Sequence, residues 1–323
     1  MPISRRTLLM SASAAAVAPA IQISSAIAAA PMKGSQVPGF YRFKIGEFEV
    51  TALNDGQVTR EVNATLFPNA PLDEVTRLME SQFMPTKPAV SPFNTLIVNT
   101  GSKLVLIDSG FNNNGAPTTG LMAANMAAAG IQPTDIDTVL ISHFHPDHIN
   151  GLRSKEGNLV YPNAEIIVPT GDVAHYLDDA KMAAASEGAR PAFLVARRVF
   201  GPNFKDIKQA EWGKEWTNGI TAIQSDGHTP GHTSFVVSSG TKTLLVVGDA
   251  SNDPRIFARR PEWHLGFDLD RAQAVTTRRK LLDMAAADRM QTTFYHAAFP
   301  ATGFITKSGA GYDWTPVSFS SVI

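Results

Sequence analysis

The sequence predicts an α/β fold, and three observations carry that prediction. Short β-branched apolar runs such as Leu104–Ile107 and Val139–Ile141 are bounded by Gly, Asp and Ser, which is the pattern of buried strands. Ala-rich stretches without breakers, such as Leu121–Ala129, lie between them and read as helices. The second half repeats the strand-then-polar-loop order of the first, with strands ending in Asp or His.

Taken in order, residues 1–30 form a compositional unit of their own. Ser4-Arg5-Arg6-Thr7-Leu8-Leu9 opens an Ala-rich apolar segment that closes on Ala28-Ala29-Ala30, the three-part form of an export signal. The paired arginines resemble a twin-arginine signal, which implies export of a folded protein to the periplasm or beyond. The apolar stretch is too short and too interrupted to anchor the chain stably in a membrane. A linker over 31–40 follows, and one catalytic domain is expected over 41–323. With 323 residues, 44% hydrophobic and 18% charged, the chain is long enough for a large core. A formal charge of −1 gives no reason to expect nucleic acid. The chain has no cysteine, which excludes disulfides, thiolate ligands and a thiol nucleophile.

The alternation of Tyr41–Leu53, broken at Gly46, predicts a hairpin ending at Asn54-Asp55-Gly56. Residues 57–92 hold five prolines together with Phe67 and Phe83, and predict a long loop with one helix near Leu72–Met79, which serves as a binding lid or packs against the core. Strands follow at Asn94–Thr100 and Lys103–Asp108, around a Gly101-Ser102 turn. Asp108, at a strand end, reads as a carboxylate that orients a ligand histidine or as a turn former. Leu121–Ala129 predicts a helix stopped by Gly130, after which the chain returns along Ile131–Ser142.

That return strand delivers His143-Phe144-His145-Pro146-Asp147-His148. With only eight histidines in the chain, three within six positions point to a metal site. In extended geometry His143 and His145 face the same way and can share one ion. Asp147 and His148 must leave in another direction, which suggests a second ion beside the first. Pro146 suits the first turn of a helix starting there.

Beyond the motif, Ala164–Val168 reads as a strand, while Asp172–Met182 and Ala192–Phe200 read as helices whose Tyr176, Phe193 and Phe200 serve the core or a pocket wall. Strands at Gly219–Ile223, Phe235–Val237 and Thr243–Val247 enclose the loop Asp226–Ser234, which holds His228 and His232. The last of these strands ends in Gly248-Asp249, and Phe294-Tyr295-His296 is a further apolar run ending in His.

The ordered set His143, His145, Asp147, His148, His232 as a later Gly-His, Gly248-Asp249 and a final His296 resembles the metallo-β-lactamase superfamily. Gly46–Leu53, Asn99–Leu106 and Gly227–Thr233 are most similar to its methyl parathion hydrolase branch. The resemblance implies an αββα sandwich with the metals at one edge between two sheets. It implies one ion on His143, His145 and His232, another on Asp147, His148 and His296, and Asp249 bridging them, with Asp147 and Asp249 in catalytic roles. The ions would be zinc, with iron, manganese or cobalt as alternatives, and a hydroxide between them would be the nucleophile. His148 and the lack of cysteine set the chain apart from the best-known lactamases, and His145 sets it apart from flavodiiron proteins. The implied activity is hydrolysis of a lactone, aryl ester or phosphotriester. A mononuclear-iron dioxygenase of the same fold and a non-catalytic periplasmic metal binder are the rival readings. His228 is expected to shape its loop from outside the ligand set. Selectivity for a small neutral apolar substrate is expected from Phe67, Phe83, Tyr176, Phe193, Trp263 and His264. A homodimer is compatible with all of this.

Overall fold

Alternating apolar residues pair Phe40–Ile45 (β1) with Phe48–Arg60 (β2), setting Phe43 opposite Val50 and Phe40 opposite Leu53. The computed structural model describes residues 32–201 and 207–323; the export signal expected over 1–30 lies outside the described residues. Val37–Ile323 forms one unit by its internal contacts. Among the described residues no helix is long and apolar enough to cross a membrane.

β2 does not stop at Asn54-Asp55-Gly56 as predicted. Its pairing with Ala89–Asn99 (β3) shifts register between Asn54 and Gly56 and then continues to Arg60 opposite Ala89. The turn-forming residues make a β-bulge because Asn54 bonds the Phe93 carbonyl, the Asn94 side chain and the Gly56 N–H across and along the ladder. The expected long loop over 57–92 is therefore strand at both ends, with α1 (Leu72–Ser81) between.

The first sheet continues through Leu104–Ile107 (β4), Thr138–Leu140 (β5), Glu165–Pro169 (β6) and Ile207–Ala210 (β7), in the order β1-β2-β3-β4-β5-β6-β7. The second comprises Glu215–Thr217 (β8), Ile220–Gln224 (β9), Thr233–Ser239 (β10), Lys242–Val246 (β11), Gln291–Thr293 (β12), Thr302–Ser308 (β13) and Gly311–Pro316 (β14), in the order β14-β13-β12-β11-β10-β9-β8. β4 and β5 run parallel, as do β11 and β12, so Ile107 lies beside Leu140 and Val246 beside Thr293. Four strands thus end together in pairs, and the polar residues that follow them are brought to common ends. Phe294–His296 is not strand; β12 stops at Thr293 and releases those residues into a turn.

Strand alternation sends Leu96 and Val98 between the sheets, where they meet Val50, Ile107, Leu140, Phe235, Val237 and Leu244. Ile97 and Leu106 face outward and pack with Met122–Ala128 (α2), Thr170–Tyr176 (α4) and Arg190–Phe200 (α6). On the far face Arg271–Ala287 (α8) buries Leu281, Leu282 and Ala285 against Leu245, Val247 and Ile305. The layers are helix, sheet, sheet, helix. The helix expected over Asp172–Met182 is two: α4 ends at Tyr176, and Asp178 caps α5 (Asp179–Ala184) by accepting the Lys181 N–H.

Candidate metal centre

β5 ends at Leu140, and the chain turns through Ile141-Ser142 into the histidine motif. His145 stands just before the short helix α3 (Pro146–Ile149), which places Asp147 in its first turn, as predicted. β9 delivers the loop with His228, β11 leads to Asp249, and β12 leads to His296.

Two groups of donors result. His143, His145 and His228 each offer a ring nitrogen, and Asp147, His148, Asp249 and His296 each offer one donor atom. Within each group these atoms lie within 4.8 Å of one another. His228 Nε2 is 2.9 Å from His145 Nδ1. Asp249 reaches both groups, its Oδ2 standing 3.0 Å from His296 Nε2 and 3.5 Å from His228 Nε2. The donor set fits divalent ions by an independent sign. His143 Nε2, His148 Nε2 and Asp249 Oδ1 are fully buried without a hydrogen-bond partner among the described residues, although such atoms are normally paired.

Of the two histidines of this loop, it is His228 and not His232 whose ring stands with His143 and His145 in the structure. His232 Nε2 accepts the Asp249 N–H at 3.0 Å, and its Nδ1 lies 2.8 Å from Ser225 Oγ. With both ring nitrogens engaged inside the protein, His232 supports the backbone of Asp249. Gly248 permits this approach: at φ +60 a Cβ there would meet His232 Nε2 at 2.9 Å.

Outside the donors, Asp108 takes a left-handed backbone at φ +61, which Asp tolerates better than most residues. Its carboxylate accepts the Ser142 N–H and hydroxyl, each at 2.8 Å, and lies 2.8 Å from His148 Nδ1. Asp268 holds His228 Nδ1 at 2.7 Å, and His296 Nδ1 lies 2.9 Å from the Pro92 carbonyl. Asp172 is fully buried and accepts from the Phe144 N–H (2.7 Å), the Thr229 hydroxyl (2.9 Å) and the Gly231 N–H (2.6 Å), so it clamps the two loops that carry the first group. The Tyr295 hydroxyl donates to the Asp147 carbonyl at 2.6 Å. Of these, sequence reasoning singled out only Asp108 as an orienter.

Burial, aided by the neighbouring imidazoles, pushes His143 well below its usual range and His145 down to about 3, so both are neutral donors. In the second group burial is outweighed. Asp147, Asp108 and Asp249 raise His148, while Asp249 and Asp147 raise His296. Asp147, despite burial, is drawn down to about 2 by His148 and His296. His143 and His145 are therefore neutral, and the second group carries the carboxylates.

The expected pocket aromatics are placed differently. Phe67 stacks on Phe257 in a buried cluster with Val75, Met79 and Trp263. Phe193 packs in the helical layer beside Tyr176, whose ring reaches His145 edge-on at 6.3 Å from behind. Phe83 is 97% exposed beyond the end of α1. Half-buried His264 is bonded through its N–H to Asn69. Phe67, Phe193 and Trp263 are core residues, because the loops bearing them fold over a small apolar cluster of their own or under the helices. Phe267 and Leu269, on either side of Asp268, are exposed apolar side chains, and the Arg60 guanidinium lies over the Phe267 ring at 4.9 Å.

Residues 90–289 match the metallo-beta-lactamase superfamily. Probable metallo-hydrolases of Mycobacterium bovis and Mycobacterium tuberculosis are 23% identical over 186 residues, 49% of this chain and 56% of theirs. The chain thus spans about half the length of the curated relatives it matches. Among solved structures, hydrolase AbOPH in the beta lactamase superfamily aligns with TM-score 0.83 and 28% identity over 89% of this chain and all of the other. AidC, a dizinc quorum-quenching lactonase, aligns with TM-score 0.83 and 27% identity over 88% of this chain and 99% of the other.

Proposed function

The chain belongs to the metallo-β-lactamase superfamily, and we propose that it hydrolyses small neutral ester-like substrates, lactones foremost and then aryl esters and phosphotriesters, at a two-ion centre. The observation that carries this reading is Asp249, one carboxylate within reach of two separately built donor groups. A single-iron oxygenase would not need the second group to be complete, and here Asp147, His148 and His296 all converge. The lactonase likeness supports the substrate class.

His143, His145 and His228 would hold one ion and Asp147, His148 and His296 the other, with Asp249 between. The ions would supply a hydroxide at neutral pH and polarise the scissile oxygen. Burial keeps His143 and His145 neutral, so that their nitrogens can donate lone pairs without losing a proton. Asp108 and Ser142 fix the ring of His148, and the Tyr295 hydroxyl holds the Asp147 backbone. Phe267 and Leu269 offer apolar surface to a leaving group or acyl chain. Arg278 is committed to carbonyls and to Asp268, while the Arg60 guanidinium lies over the Phe267 ring at 4.9 Å.

Purified protein should carry two ions per chain and open γ- and δ-lactones. Asp249→Ala should lose at least one ion and nearly all turnover; full turnover with both ions retained would sink the reading. We also propose export by the paired arginines. Changing Arg5 and Arg6 to Lys should hold the protein in the cytoplasm, and unchanged periplasmic yield would refute that.

A further inference from the structure

A buried guanidinium in a layer of Ala and Leu needs a reason, since an ion taken from water is costly unless its partners replace the lost hydration. Arg278 is the large charged side chain that α8 buries, at 1% exposure. Its Nε donates to the Ala250 carbonyl at 3.0 Å, and its Nη1 donates to the carbonyls of Pro261 and Trp263. Its Nη2 faces Asp268 Oδ2 at 3.6 Å, and the guanidinium lies over the Phe257 ring at 5.1 Å. Ala250 directly follows Asp249, and Asp268 holds His228. One side chain therefore spans the backbone behind the shared carboxylate and the carboxylate behind a ligand histidine.

The loop is locked from the other side as well. The Leu269 N–H donates to the His228 carbonyl at 3.2 Å and the Asp270 N–H to the Gly227 carbonyl at 2.9 Å. Asp268 Oδ2 also accepts the Leu265 N–H at 3.0 Å. Within the first donor group the other nearby hydrogen bonds are of a different kind: His143 Nδ1 lies 3.0 Å from the Ser142 hydroxyl, and His145 Nδ1 faces His228 itself. A carboxylate behind an imidazole fixes which nitrogen carries the proton and makes the opposite nitrogen a better donor.

We propose that Asp268 is the positioning residue of His228, fixing its Nε2 as the donor to the first ion, and that Arg278 acts through Asp268. The proposal rests on the two-ion reading, and its test reads metal retention, so it can fail while turnover survives. Geometry holds both carboxylate oxygens as acceptors: Oδ1 lies 2.7 Å from His228 Nδ1, and Oδ2 takes the Leu265 N–H at 3.0 Å and faces the Arg278 guanidinium.

The experiment uses full-length, cobalt-loaded protein and follows chelator-driven ion release and the visible cobalt spectrum. His228→Ala identifies the release phase that belongs to the first group. Asp268→Ala should speed that phase about 10–100-fold and shift the spectrum, with the second phase unchanged. Asp268→Asn keeps an amide oxygen for Nδ1–H but loses the charge, and should speed it about fivefold. Arg278→Lys should raise the same rate in the parent and add nothing in the Asp268→Ala background. Parental release and spectrum in Asp268→Ala, or in Asp268→Asn should the alanine variant not fold, would overturn the proposal. Equal loosening of both phases would overturn it too, since that is loss of structure. Additive effects of Arg278→Lys would overturn the claim that Arg278 acts through Asp268.

Discussion

Asp172→Ala tests whether the two loops of the first donor group are held together by one side chain. The substitution removes the acceptors for the Phe144 N–H, the Thr229 hydroxyl and the Gly231 N–H, all buried. A buried donor left without a partner costs about 1–3 kcal/mol. Water entering the vacated space would recover part of this, so the loss should be about 3–5 kcal/mol, a large share of the 5–15 kcal/mol typical of a domain. Asp172→Asn should lose roughly half as much, about 2 kcal/mol, because its oxygen can keep one side of the clamp while its amide N–H₂ confronts the other donor. The assay is urea unfolding of metal-free protein, which isolates the clamp from metal binding, followed by release of ions from the loaded form. Because Phe144 lies between His143 and His145, and Thr229 next to His228, slackening the clamp should also speed release from the first group about tenfold. An alanine variant within about 1 kcal/mol of the parent with unchanged release would refute the reasoning.

The proposed role of His228 as ligand and of His232 as support predicts opposite outcomes. His228→Ala should bind one ion fewer per chain, whereas His232→Ala should keep both but lose about 2–4 kcal/mol of stability through its Ser225 and Asp249 N–H bonds; metal analysis and thermal unfolding separate the two. Burial raises Asp55 from 3.8 to about 6 in the fold, against the backbone N–H groups of Phe111 and Met122. Its contribution is therefore complete below about pH 4 and is lost as pH rises through about 6, a fall of about 3 kcal/mol that unfolding of metal-free parent should show and Asp55→Asn should lack. Phe83→Ser should change stability by less than about 0.5 kcal/mol and leave substrate preference unaltered, since that ring is exposed away from any partner cluster; a changed preference among lactone, ester and phosphotriester would restore it to the pocket.

The layered fold was legible because its central strands are unbroken β-branched runs, and the motif around His143 was legible because three of eight histidines and an aspartate fall within six positions, although β5 stops at Leu140 and the motif itself is loop rather than strand. α8 was not foreseen. Its buried face mixes Thr277 and Arg278 with Ala274, Leu281 and Leu282, so the helical stripe of apolar residues is interrupted by the groups that serve the site. The turn read at Asn54-Asp55-Gly56 failed because side-chain bonds across the ladder turned strong turn formers into a bulge. His228 and His232 each follow a glycine, so a Gly-His pattern fits both; only three-dimensional proximity distinguishes the ring that meets His145 from the ring that meets Asp249 N–H. The roles of the aromatics were not legible because an aromatic in a Pro-rich loop has the same sequence signature whether the loop folds over its own core or opens to substrate.

The most direct measurement is a crystal structure of metal-loaded protein with anomalous data at the edge of the bound metal. The account predicts two peaks, one among His143, His145 and His228 and one among Asp147, His148 and His296, with Asp249 between them. A single peak, or a first-group peak bound to His232 with His228 turned away, would contradict it.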